Sequence, residues 1–182
     1  MRLVAVILLS CVCAAAQTYP ADSIKKGTWE MGIFAGGGTW VPGGTEDRQV
    51  FNAGLRVGYL FTNHFEYAVD IMPAYAVFQP AENAFGAGFT PIILKYNFTG
   101  MKDVAPYIEV GGGLLFTNND VPTGTNQVNF TPQAGFGLQL FPRAKRSINL
   151  AARYVHISNA GLASPNPGIN TIQFTVGYHW WK

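Results

Sequence analysis

The residues best suited to chemistry lie near the C-terminus, in the segment ARYVHISNAGLASPNPGINTIQF. His156 and Ser158 stand two positions apart at the end of a stretch that alternates between apolar and other residues. A serine hydroxyl becomes a useful nucleophile when a neighbouring imidazole takes its proton and a third group fixes the tautomer of the ring. The pair therefore suggests ester cleavage. His-x-Ser is also common by chance, and two polar residues marking a strand end are the alternative interpretation.

The N-terminus indicates export. Residues 1–16, MRLVAVILLSCVCAAA, combine a basic residue, an apolar run and a small-residue cleavage site, which is the pattern of a signal peptide. Lipoprotein processing at Cys11 is the alternative. Both cysteines, Cys11 and Cys13, lie in this segment, so a mature domain of residues 17–182 would have neither a disulfide nor a thiolate metal site.

The remainder reads as one all-β domain. Without Arg2, the 11 Lys and Arg against 10 Asp and Glu are too balanced for nucleic-acid binding. No later run is apolar and long enough for a membrane-spanning helix, and no convincing amphipathic helix is found. Period-two alternation predicts eight strands, roughly at 27–38, 51–61, 64–77, 86–98, 104–117, 128–141, 146–158 and 169–181.

Three features favour a membrane barrel over a soluble sandwich or a lipocalin-like barrel. The polar faces combine many glycines with ionisable groups of both signs that could pair inside a narrow lumen: Glu30, Arg56, Glu66, Asp70, Lys95, Glu109 and Arg153. The apolar faces carry aromatic residues toward their ends, as interfacial girdles do: Trp29, Tyr59, Phe61, Phe65, Tyr75, Tyr96, Phe98, Phe116, Tyr154, Tyr178 and Trp180. The connections alternate between tight turns and long loops rich in Gly, Pro and Asn.

Closure of the sheet would satisfy every backbone group that hydrocarbon leaves unpaired. Eight strands leave an interior that side chains can fill, so a porin channel is not expected. The prediction is an eight-stranded antiparallel transmembrane β-barrel in the cell outer membrane, with both termini periplasmic.

Side-chain parity predicts where His156 and Ser158 point. They share one face of the seventh strand with an apolar set, Ile148, Leu150, Ala152 and Tyr154. Because that face must meet lipid, both side chains would project outward at the outer-leaflet rim. Pairing of His156 with Asn170 would then align only lipid-facing partners below it: Tyr154 with Ile172, Ala152 with Phe174, Leu150 with Val176 and Ile148 with Tyr178.

The segment from Arg153 to Asn170, RYVHISNAGLASPNPGIN, resembles the PagL family of outer-membrane lipid A deacylases around its catalytic His-x-Ser-Asn. The resemblance implies an eight-stranded barrel with its active site outside the wall. It implies hydrolysis of the ester at the 3-position of lipid A in lipopolysaccharide, with His156 as general base and Ser158 as nucleophile. The third member in that family is a glutamate, whereas this chain has Asn170, which can orient the ring but cannot stabilise an imidazolium by charge.

The same resemblance assigns Asn159, Asn166 and Gly168 to the region that supplies the oxyanion hole and binds substrate. The reaction it implies needs no metal and no other cofactor. No ligand spacing links His64 to His179, so no metal site is predicted. Four residues would form part of an acyl groove: Tyr154, Ile157, Leu162 and Ile172.

Two other functions stay open from the sequence. The chain could be a non-catalytic structural or adhesion-type barrel, or a Ser–His esterase that acts on glycerophospholipid in place of lipid A. Acyl-chain preference, regulation by the membrane and the formation of a homodimer are also open.

Overall fold

A computed structural model of the chain describes residues 20–41 and 48–182. The predicted signal peptide, residues 1–16, and the alternative processing site at Cys11 lie outside these ranges. Within them the chain forms one short helix and nine strands: α1 (Pro20–Ser23), β1 (Trp29–Trp40), β2 (Gln49–Leu60), β3 (Phe65–Phe78), β4 (Ala84–Asn97), β5 (Val104–Thr117), β6 (Val128–Phe130), β7 (Gln133–Arg143), β8 (Arg146–Ile157) and β9 (Ile169–Trp181). None of the helical residues in these ranges forms a segment long and apolar enough to cross a lipid bilayer.

The strands close into an antiparallel barrel in which neighbours along the chain are neighbours in the wall. The order is β4-β3-β2-β1-β9-β8-β7-β5, and pairing of β4 with β5 completes the circle. The short β6 and the longer β7 pair with successive parts of β5, so they are two segments of one wall strand interrupted at Thr131 and Pro132. In the described chain this makes the predicted eight-stranded antiparallel β-barrel. The end of the barrel at which β8 ends and β9 begins is called the loop end below.

The lumen holds the predicted charges in two paired clusters. In the first, Arg56 Nε lies 2.7 Å from Asp70 Oδ1 and Arg56 Nη1 lies 3.0 Å from Glu109 Oε2. Arg153 contacts the same two carboxylates, at 2.5 Å to Glu109 and 3.2 Å to Asp70. Buried charges are tolerated when each is paired, so the predicted inward orientation of Arg153 is confirmed together with its pairing.

The second cluster lies nearer the chain termini. Lys95 Nζ is 2.9 Å from Glu30 Oε2 and 3.1 Å from Glu66 Oε2. His179 Nδ1 contacts the other Glu30 oxygen at 2.6 Å. Beyond it, apolar side chains close this end of the barrel: Ile24, Leu60, Ala105, Phe141 and Trp181. A larger apolar cluster lies in the lumen at the loop end, so side chains of the described residues fill both ends of the barrel interior.

One aromatic residue departs from the predicted alternation. Tyr75 was expected on the lipid-facing girdle, but its side chain is only 5 % exposed and its hydroxyl accepts a hydrogen bond from Gln173 Nε2 at 3.1 Å inside the lumen. The cause is a β-bulge, because the pairing of β3 with β4 shifts register between Met72 and Tyr75. Pro73 and Ala74 are both exposed there, and two adjacent outward residues invert the parity of the rest of the strand.

Candidate active site

The sequence-predicted site lies where β8 ends and β9 begins. His156 and Asn170 are direct partners across these two strands, which confirms the predicted register. The four pairs below them also match the prediction: Tyr154 with Ile172, Ala152 with Phe174, Leu150 with Val176 and Ile148 with Tyr178. Since Val155 and Ile157 are buried in the lumen, His156 between them faces outward. His156 is therefore on the outer wall at the loop end.

The orientation of the imidazole is set by an amide. His156 Nδ1 lies 2.6 Å from Asn170 Oδ1. An amide oxygen can only accept a hydrogen bond, so the ring nitrogen that faces it must carry the hydrogen. In the neutral ring this leaves Nε2 as the bare nitrogen that can accept a proton.

Ser158 is held in line with His156 by the interrupted wall strand. Its backbone N–H donates to the Phe130 carbonyl at 3.1 Å, and the Phe130 N–H donates back to the Ser158 carbonyl at 2.7 Å. The His156 N–H donates to the Pro132 carbonyl at 3.0 Å. Both ends of the break between β6 and β7 thus anchor this part of the chain, and they keep Ser158 on the outward face with only 8 % of its surface exposed.

Gly168 shows that His156 and Ser158 border the same space. An ideal Cβ built on this glycine would lie 3.2 Å from His156 Nε2 and 3.4 Å from Ser158 Cβ. His156 Nε2 and Ser158 Cβ therefore both border the space beside the Gly168 Cα. The same Cβ would lie 2.7 Å from His156 Cε1, which is closer than real contacts allow, and φ at this position is +65°. A glycine is required here on both counts.

The loop from 158 to 168 is organised around Asn159. Its side-chain nitrogen donates to the carbonyls of Ala163 at 3.1 Å and Pro165 at 3.4 Å, and its side-chain oxygen accepts from the Gly161 N–H at 2.9 Å. Its backbone N–H donates to Asn166 Oδ1 at 3.1 Å. The hydrogen-bonding groups of Asn159 are thus engaged within the loop, while Asn166 is exposed and Gly168 lies against the imidazole. Nothing in the sequence signals these contacts, because they depend on how the loop folds back on itself.

The predicted acyl-groove residues are only partly brought together. Tyr154 and Ile172 are exposed and adjacent on the outer wall, and Leu162 is exposed on the loop. The assignment of Ile157 to the groove is wrong, because its side chain is fully buried in the lumen. Strand alternation places Ile157 opposite to His156 and Ser158, so it cannot contact a molecule bound on their side.

Comparison with known proteins places these features in a family. The family model described as Lipid A 3-O-deacylase (PagL) matches residues 51–179 of the chain. The Lipid A deacylase PagL of Bordetella bronchiseptica is 36 % identical over 78 residues, and this match spans 41 % of the chain and 41 % of that relative.

Two solved structures share the fold. The crystal structure of the outer membrane enzyme PagL superposes with a TM-score of 0.62 at 22 % identity, covering 80 % of this chain and 97 % of that one. The crystal structure of Neisserial surface protein A gives a TM-score of 0.65 at 16 % identity, covering 85 % of this chain and 97 % of that one. The family match extends over most of the barrel, including the strands that carry His156 and Asn170. The chain is an outer-membrane β-barrel and belongs to the lipid A 3-O-deacylase (PagL) family.

Proposed function

We propose that this chain hydrolyses the ester that links an acyl chain to the 3-position of lipid A, with Ser158 as nucleophile and His156 as general base. The observation that carries the proposal is the arrangement around the imidazole. Its Nδ1 is held by Asn170 at 2.6 Å, and its Nε2 borders the space over Gly168 that Ser158 also borders. A serine is activated by an imidazole that is oriented through Nδ1 and whose Nε2 lies on the side of the serine, and His156 and Ser158 share one face of the wall.

The reaction would proceed in two steps. His156 Nε2 takes the proton of Ser158 Oγ as that oxygen attacks the ester carbonyl, and the protonated ring then gives the proton to the departing sugar oxygen. This leaves an acyl group on Ser158. A water molecule, deprotonated by the same nitrogen, attacks the acyl group, and the products are free 3-hydroxy fatty acid and the regenerated hydroxyl.

The oxyanion formed in each step needs hydrogen-bond donors. The amide hydrogens of Asn166 and the backbone N–H of Gly168 are the donors we assign to this role, since Asn166 is exposed beside the site and Gly168 adjoins the imidazole. In this proposal Asn159 acts through Asn166. The backbone N–H of Asn159 donates to Asn166 Oδ1 at 3.1 Å, so the Asn166 side-chain nitrogen points away from Asn159.

The site faces outward at the loop end of the barrel, which fits a substrate that stays in the membrane. With both termini in the periplasm, the loop end meets the outer leaflet, where lipid A would present its acyl esters at the rim of the wall. The exposed Tyr154 and Ile172 beneath the site would then contact hydrocarbon.

Mass spectrometry of lipid A from cells that express the chain tests the proposal. We expect loss of one 3-hydroxyacyl group with the wild-type chain and no loss with Ser158→Ala. If lipid A is unchanged and fatty acid is released from phospholipid, the chain is a phospholipase and the deacylase proposal is wrong. No lipid change, with the barrel folded in the membrane, would leave a structural role only.

A further inference from the structure

The two ends of the barrel differ in charge. Among the described residues, the loop end carries one cation and two carboxylates, Arg48, Glu82 and Asp120. The opposite end, where β1 begins and β9 ends, carries half of the chain's 12 Lys and Arg in three neighbouring segments: Lys25, Lys26, Arg143, Lys145, Arg146 and Lys182. We call these six residues the basic rim.

Hydrogen bonds hold the three segments of the basic rim side by side. The Lys145 N–H, in the turn between β7 and β8, donates to Ser23 Oγ at 3.1 Å and so joins this turn to α1. The Lys182 N–H donates to the Trp29 carbonyl at 2.9 Å, which joins the C-terminal residue to the start of β1. The six cations therefore form one patch below β7, β8, β9 and β1 and are not spread around the whole end of the barrel.

The charges of the basic rim are not compensated within the described part of the chain. None of its six side chains forms an ion pair with a described residue, and Asp22 is the one carboxylate in the same segments. Five of the six residues are exposed, and Arg146 is half-buried. The remaining turn with a cation at this end is balanced, because Lys102 is followed directly by Asp103. A positive potential therefore extends from one side of this end only.

The basic rim lies where the outer wall of the barrel meets the edge of the bilayer. Trp29 is 50 % exposed at the start of β1. Trp180 is paired with Arg146 and points outward, because its neighbours His179 and Trp181 are buried in the lumen. Tryptophan side chains of membrane barrels gather at the level of the lipid headgroups. The cations next to these two rings are therefore at the height of lipid phosphates.

We infer that the basic rim binds the phosphate headgroups of anionic phospholipids, which would lie in the inner leaflet when both termini are periplasmic. An anionic phospholipid fits because its phosphate meets the cations while its acyl chains continue along the apolar outer wall. Lys and Arg donate charge-assisted hydrogen bonds to phosphate oxygens. Clusters of four to eight such residues beside a membrane attract anionic lipid, and each residue adds to the attraction. The inference goes beyond the proposed function and does not depend on it.

Fluorescence of the barrel in lipid vesicles tests the inference. Phosphatidylcholine with brominated acyl chains quenches tryptophans at the lipid-facing surface, here Trp29 and Trp180. Replacing part of it by unbrominated phosphatidylglycerol restores fluorescence and gives the binding constant of the anionic lipid relative to phosphatidylcholine. We expect a relative constant of at least about three for the wild type at low salt. It should fall close to one in about 0.5 M NaCl, because salt screens charges at the surface.

Substitutions separate the basic rim from the rest of the surface. The triple variant Lys145→Gln, Arg146→Gln, Lys182→Gln removes the cations nearest the two tryptophans, and its relative constant should be close to one at low salt. Lys102→Gln is the control, since it removes a cation at the same end outside the basic rim, and its constant should equal that of the wild type.

Two results would overturn the inference. One is a wild-type constant close to one at low salt, which would mean that the basic rim is only solvated. The other is a triple variant that folds and keeps the preference of the wild type, which would place the anionic lipid elsewhere on the barrel. Should the triple variant not fold, the salt dependence of the wild type decides, and a preference that persists unchanged in about 0.5 M NaCl contradicts binding through these charges.

Discussion

The imidazole of His156 is oriented by the amide of Asn170, whose side-chain oxygen lies 2.6 Å from Nδ1. This amide stands at the position where the family that the chain resembles has a glutamate. In the proposed site an asparagine can take the orienting role, because its oxygen accepts a hydrogen bond from Nδ1. The amide carries no negative charge, so it can orient the ring but cannot stabilise the protonated imidazole as a carboxylate would.

Asn170→Glu should therefore preserve the activity or raise it. The carboxylate keeps the acceptor at Nδ1 and adds a charge that stabilises the imidazolium formed during the reaction. We expect kcat to stay the same or to increase by up to on the order of 100-fold, the lower range of a single electrostatic contact in an active site. Rates of release of 3-hydroxy fatty acid from purified lipid A measure the effect. Asn170→Ala is the control that removes the acceptor, and a collapse of activity in a folded Asn170→Glu barrel would contradict the assignment.

Ser158→Ala and His156→Gln should each lower kcat by at least about 10³-fold. Removing either half of a nucleophile–base pair disables the other, so the double variant should be no slower than the worse single variant. Steady-state kcat values of the two single variants and the double variant show whether the losses combine. Independent, multiplicative losses would show that the two residues do not act as one unit.

Gly168→Ala should impair catalysis without unfolding the barrel. The new Cβ would lie 2.7 Å from His156 Cε1, so the ring must move away from its position against Asn170. We expect kcat to fall at least about tenfold, as small displacements of catalytic groups do. Gly161→Ala is a close control, because Gly161 has a similar φ of +80° but nothing within 4 Å of the point that a Cβ would occupy. Equal losses in both variants would attribute the effect to backbone strain in the loop instead.

Asn159→Ala should loosen the loop from 158 to 168. The buried side chain makes three hydrogen bonds to backbone groups of the loop, and each group left without a partner costs roughly 1–3 kcal/mol. Limited proteolysis of the folded barrel should then cut this loop faster than in the wild type, and kcat should fall with it. Asn119→Ala removes an asparagine from a different long loop and should change neither measurement. A loop that resists protease as before would show that Asn159 does not hold it.

Arg153→Met should destabilise the barrel without touching the outer surface. Glu109 and Asp70 would each lose a buried cationic partner, and breaking a buried ion pair in this way costs about 3–5 kcal/mol. Urea unfolding in lipid vesicles measures the free energy of unfolding. Arg146→Met on the same strand is the comparison, since the Arg146 side chain donates to the Lys145 carbonyl at a turn and its loss should cost no more than about 0.5 kcal/mol. Equal stability of the two variants would contradict the importance of the lumen pairing.

Much of the barrel was predictable because strand side chains alternate with a period of two. An apolar set that must face lipid sets the direction of every other residue on that strand, and the two-residue spacing carries His156 and Ser158 along with it. The pairing of His156 with Asn170 was predicted for the same reason, because a one-residue slip would turn an apolar row against a polar one.

The structure differs from the prediction where the two-residue alternation of a strand is broken, and where segments distant in the chain come into contact. Two adjacent outward residues in β3 turned Tyr75 into the lumen, and alternation cannot foresee a bulge. The break between β6 and β7 is similar, since the carbonyls of Phe130 and Pro132 hold Ser158 and His156 from a different strand of the wall.

By itself, then, the sequence determined the fold class, the outward direction of the base and the hydroxyl, and the asparagine that would face the ring. All three follow from local alternation and from one pair of consecutive strands. Only the tertiary structure decided that Gly168 of the following loop packs against both His156 and Ser158, and that the carbonyls of Phe130 and Pro132 hold this part of the chain. Those relationships join residues through neighbouring strands and a folded loop, so no period along a single strand encodes them.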